Sequence, residues 1–144
     1  MDTDEGKYID SGGKPSSIPL YGISDVSAST GISAFTIRYY DKCGFFPNLQ
    51  RDRRGARLFS DADLFQLHLV EALRKSGLSI EGIQYFVRLS KRGEATKAER
   101  LCILRAQETV LEYQRDELNE SLKRLHSATM DLDVDDNSEQ ANML

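Results

Sequence analysis

The chain has 144 residues, enough for one domain of ordinary size or a small domain with an extension. Its two cysteines, Cys43 and Cys102, make no CxxC pair and no disulfide framework, and no apolar run approaches the roughly 18 residues needed to cross a bilayer. The net charge of −4 is unevenly spread: residues 21–60 hold six bases against three acids, whereas residues 131–144 hold five acids and no base, so the acidic total does not exclude nucleic acid as a partner.

Residues 1–18 are acidic and rich in Gly, Ser and Pro, and they read as a disordered tail. They lack a basic n-region and an apolar h-region, so no signal peptide is expected and a soluble, cytoplasmic protein is. A first helix follows from about Ile23, with Gly22 as its N-cap and Gly31 as its stop. Ser33 caps a second helix that runs to about Cys43 and is closed by Gly44. Two short helices joined by so tight a turn make a helix-turn-helix.

From Phe46 to Ser60 the pattern changes, because Pro47 cannot sit inside a helix and "RRG" is a turn. The expectation is a two-stranded wing with its tip near Arg53–Gly55. Ser60 and Asp63 form a capping box for a third helix, in which Leu64, Leu67, Val70 and Leu73 recur at helical spacing before Gly77. Ser79 caps a fourth, with Ile80, Ile83, Phe86, Val87 and Leu89 on its apolar side and Gly93 as its stop.

Thr96 and Glu99 read as a further capping box, and no Gly or Pro follows Gly93. Leucines then recur every seven residues at 104, 111, 118, 125 and 132. With these at heptad position d, position a holds Leu101, Glu108, Arg115, Leu122 and Thr129. A helix over 97–131 is about 50 Å long, and its leucine stripe needs a second helix to cover it. A second copy of the chain is the expected partner, with Leu101, Leu104, Leu111, Leu118, Leu122 and Leu125 at the seam. An antiparallel pairing sets Glu108 opposite Arg115 rather than each against its twin. A second stripe, Ile103, Ala106, Val110 and Tyr113, is expected to pack on the preceding domain of either copy. The acidic residues 132–144 read as a disordered tail.

A helix enters the major groove when its exposed N-terminal residues are small or can hydrogen-bond. Ser33, Thr36, Arg38 and Tyr39 meet that need, with Ile37 and Tyr40 facing inward. Arg51, Arg53, Arg54 and Arg57 in the wing suit the flanking phosphates. No nucleophile–base pair, P-loop or carboxylate cluster is present, so no enzymatic activity is expected. No metal site and no cofactor are evident either, and no small-molecule effector can be named. Packing roles are expected for Cys43 and Cys102. The competing reading is a coiled-coil adaptor whose N-terminal helical domain binds protein rather than DNA.

The segment from Tyr21 to about Ser90 contains "SAFTIRYYDKCGF", a wing ending in "GARLFS", "DADLFQL" and "GLSIEGI". In this it resembles the MerR family of bacterial transcription regulators. The resemblance implies an all-α fold with a small β-wing: a winged helix-turn-helix domain over 19–91, then an antiparallel coiled-coil dimerisation helix over 94–131. It also implies a homodimer on double-stranded promoter DNA that distorts the duplex to control transcription by RNA polymerase. The family's DNA-contacting roles fall on Ser33, Thr36, Arg38, Tyr39, Arg54 and Arg57, and Arg53 joins them from the charge pattern. The chain departs from the family at Phe35, where Arg or Lys is common, so that the ring either touches a thymine methyl or packs inward. A second departure is Ala56, which replaces the usual wing aromatic. Ala72 in "ALRKSGLS" stands where aldehyde-sensing relatives carry a reactive cysteine.

Overall fold

A computed structural model describes residues 18–143. The expected N-terminal tail therefore lies, apart from Ile18, outside the described residues. The chain divides into two units, Met1–Ile103 and Leu104–Leu144.

The first unit begins with a short strand β1 (Tyr21–Gly22), followed by α1 (Ile23–Thr30) and α2 (Ala34–Lys42). Gly22 caps α1 in an extended conformation, and Gly31 ends it in the left-handed region at φ 76°, which only glycine adopts freely. Ser33 Oγ then accepts the Thr36 amide and starts α2. After Lys42 the chain closes in a Schellman turn. The Gly44 amide donates to Asp41 O at 2.9 Å and the Phe45 amide to Tyr40 O at 3.1 Å.

The wing differs from the expected hairpin in having a third strand. β2 (Gln50–Arg51) and β3 (Arg57–Phe59) pair antiparallel, and β1 pairs with the other edge of β3, giving the order β1-β3-β2. A two-residue strand carries no alternation pattern, so β1 is invisible until β3 is placed beside it. Through Tyr21↔Phe59 the entry to α1 is fastened to the base of the wing.

α3 (Asp61–Lys75) starts at the expected capping box, with Ser60 and Asp63 bonding each other's backbone. α4 (Ile80–Lys91) starts at Ser79, whose hydroxyl accepts the Gly82 amide. Between these elements sits the core, with Phe45, Phe59, Ile37, Leu67, Ile83, Val26 and Val70 fully buried. Burying each such side chain stabilises the fold by about 1.5–3 kcal/mol. Phe46 meets Phe59 edge-on at 5.5 Å between ring centres.

The start of the long helix is a correction to the expected capping box. Gly93–Thr96 form a 3-10 turn that leads into α5 (Lys97–Asn142). Thr96 Oγ1 turns back to donate to Leu89 O at 2.6 Å and accepts from Arg100 Nε at 3.0 Å. Glu99 is engaged by Tyr85, whose hydroxyl lies 2.8 and 2.7 Å from its two oxygens. Both residues thus tie the start of α5 to α4 instead of capping it. At its far end α5 runs on to Asn142, beyond residue 131. With no Gly or Pro after Gly93, nothing in the covalent chain stops it.

In the second unit α5 is a single helix, on which Leu104 and Leu111 are half-buried and the later leucines lie open. Leu118, Leu122, Leu125 and Leu132 are exposed, as are Tyr113 and Val134.

Candidate nucleic-acid interface

One face of α2 is buried and the opposite face is free. Ile37 and Tyr40 point into the core, whereas Phe35, Arg38, Tyr39 and Lys42 are exposed. This follows from a turn of about 100° per residue, which sets positions 37 and 40 across the helix from 35, 38, 39 and 42.

Five contacts moor α2 and the turn after it. The Tyr40 hydroxyl donates to Glu71 Oε2 on α3 at 2.8 Å. Its pKa is pushed up to about 12, first by burial and then by the Glu71 carboxylate. Asp41 Oδ2 accepts from Arg57 Nε at 2.6 Å and from Arg51 Nη2 at 2.8 Å, which joins the helix to the wing. Gln84 Nε2 on α4 donates to Cys43 O at 3.0 Å, and Gln66 Nε2 on α3 donates to Phe45 O at 3.2 Å. The outward face is therefore presented on a fixed frame.

The wing tip is shaped by Asp52. Its Oδ1 accepts the amides of Arg54 and Ala56 at 2.8 and 2.9 Å, and its backbone oxygen accepts the Gly55 amide at 3.0 Å. Gly55 takes φ 86°. This Asx-type turn pushes Arg53 and Arg54 outward, where both are exposed and form no ion pair among the described residues.

A cleft of about 810 Å³ opens between α2, the start of α1 and the wing. Arg38, Arg51, Arg53 and Arg57 line it, with Asp25 and Asp52 on its walls. Four arginines from α2 and the wing so line one concavity, Arg51 and Arg57 held by Asp41 and Arg38 and Arg53 exposed, an arrangement suited to a phosphate backbone.

Of the residues expected to contact DNA, Ser33, Arg38, Tyr39, Arg53 and Arg54 are exposed and Thr36 half-buried, all on α2's first turns or the wing tip. Arg57 is different: its Nε is held by Asp41 and its side chain is only 19% exposed. Sequence spacing carries no sign of Asp41, because its partners lie 10 and 16 residues away. Phe35, for which the sequence allows two orientations, points out and is 79% exposed. Cys43 is half-buried, and Cys102 is exposed rather than packed. Among the described residues, no three His, Cys, Asp or Glu side chains gather as a metal site would require. No described helix is long and apolar enough to cross a membrane.

Comparison with known proteins adds to this geometry. The family model described as MerR HTH family regulatory protein matches residues 21–89. The chain is 37% identical over 105 residues to an uncharacterized HTH-type transcriptional regulator of Haemophilus influenzae, spanning 73% of this chain and 78% of that protein. It is 32% identical over 82 residues to the HTH-type transcriptional regulator AdhR of Bacillus subtilis, spanning 57% of this chain and 59% of AdhR. Two solved structures share the fold. One is HiNmlR, a MerR family regulator lacking the sensor domain and bound to promoter DNA, with a TM-score of 0.66 and 36% identity over 74% of this chain and 85% of that one. The other is a MerR family transcriptional regulator from Bacillus thuringiensis, with a TM-score of 0.67 and 31% identity over 75% and 95%.

Proposed function

This chain belongs to the MerR family of helix-turn-helix transcriptional regulators, and we propose that it binds promoter DNA as a homodimer and distorts it to control transcription. The observation that carries the reading is the arginine-lined cleft beside the free face of α2. Ser33, Thr36 and Tyr39 take base edges or the sugar–phosphate rim, while Arg38, Arg53 and Arg54 take phosphates. Arg57, bonded to Asp41, contributes mainly by fixing where the wing stands relative to α2.

The second copy is called for by α5. An isolated helix with an open leucine stripe leaves most of its apolar surface in water, and a partner helix recovers it. Leu101, Leu104, Leu111, Leu118, Leu122 and Leu125 form the seam, and an antiparallel register brings Glu108 to Arg115. Two reading domains then engage one duplex. Bending that duplex costs roughly 1–6 kcal/mol, to be offset by the contacts of two helices and two wings. RNA polymerase at the same promoter is the machine on which such a distortion acts.

Selection of duplexes from a random pool by the purified protein tests this. An inverted repeat is expected, with affinity falling steeply as salt rises, by about 0.9 log unit per log unit of salt for each phosphate neutralised. A protein indifferent to duplex, with a flat salt response, would fit an adaptor instead.

A further inference from the structure

We infer that Phe35 reads a thymine C5-methyl in the major groove and thereby fixes one A·T position in each half-site. This rests on the DNA-binding reading above and adds to it a residue that sets specificity.

Phe35 is the second residue of α2, at the N-terminal end from which a recognition helix meets base edges. It stands across the helix from the buried pair Ile37 and Tyr40, in the middle of the free face. At 79% it is the most exposed large apolar side chain described in the Met1–Ile103 unit. No other aromatic ring packs against it among the described residues.

The two hydroxyls beside it bond each other. Ser33 Oγ accepts the Thr36 amide at 3.1 Å and donates its proton to Thr36 Oγ1 at 3.0 Å. The hydroxyls of the first turn are thus partly spent on capping the helix, and the side chain that projects furthest into solvent between them is a ring with no donor or acceptor. In the major groove the one apolar feature that distinguishes the base pairs is the thymine methyl. Laid against a G·C edge, the same ring would strip water from polar atoms without replacing their hydrogen bonds, which is unfavourable. Laid against thymine, it covers a methyl group.

The test uses the full chain and the duplexes it selects. Each thymine in a half-site is replaced in turn by deoxyuridine, which removes the methyl and keeps every hydrogen-bonding group. At one position per half-site the substitution is expected to weaken wild-type binding by about three- to fivefold, the effect of uncovering one methyl-sized group. Phe35→Ala is expected to bind the thymine and deoxyuridine duplexes alike, and Phe35→Leu to retain part of the difference. The exposure of Phe35 makes both variants neutral for folding. An equal loss in wild type and Phe35→Ala, or no sensitive thymine on a duplex that wild type binds in a salt-dependent way, overturns the role of Phe35 alone. Failure of the wild type to prefer any duplex overturns it together with the DNA-binding reading.

Discussion

Asp41 and Arg57, 16 residues apart, meet at 2.6 Å, and the same Asp41 oxygen also receives Arg51. One carboxylate, 13% exposed, therefore sets the spacing between the reading helix and the wing. Asp41→Ala leaves Arg57 partly buried without its acceptor and is expected to destabilise the domain by about 1–3 kcal/mol. The exposed Arg51 contributes little of this. Two released guanidinium groups also favour any duplex. The ratio of specific to random-duplex affinity is expected to fall, while random-duplex affinity holds or rises. Thermal melting and paired binding titrations check both.

Tyr40 makes a prediction about alkaline pH. Its folded pKa, about 12, lies above its ordinary value of 10.0, so folding favours the protonated phenol. The stability it contributes is complete below pH 10 and is lost as pH rises towards 12. Denaturant titrations of the wild type between those values should show stability falling with pH. In Tyr40→Phe that part of the slope should vanish, while stability at neutral pH drops by about 1 kcal/mol for the missing bond to Glu71.

Arg53 and Arg54 are exposed at the wing tip, with no ion pair among the described residues. Replacing either with alanine is expected to weaken binding to all duplexes alike and to reduce the salt slope by about 0.9 for each phosphate left without its cation. Dimer and melting temperature should be unchanged. Arg38→Ala should behave likewise, which gel-shift titrations at several salt concentrations measure.

The α5 seam is tested by Leu111→Glu with Leu118→Glu. Like charges on the stripe should dissociate the dimer at micromolar concentration and abolish operator binding while the reading domain stays folded. Sedimentation showing an intact dimer would place the seam elsewhere on the helix.

Local signals are legible in the sequence because each acts within a few residues. Ser33, Ser60 with Asp63, and Ser79 bond amides three positions on, and Gly31, Gly44 and Gly77 take the left-handed conformations their positions demand. Thr96 and Glu99 have the spacing of a capping box, yet tertiary partners on α4, Leu89 and Tyr85, claim them. β1 and the Asp41 clasp depend on residues brought together only by the fold. The continuation of α5 past residue 131 carries no signal in composition, since acidic residues favour solvation without forbidding a helix.

The moorings on Tyr40, Asp41, Cys43 and Phe45 come from α3, α4 and the wing together. Loss of any one leaves the others to hold α2 against α3, α4 and the wing. With its backbone and side chains held from three sides, amide exchange along α2 should fade or persist in step with its neighbours.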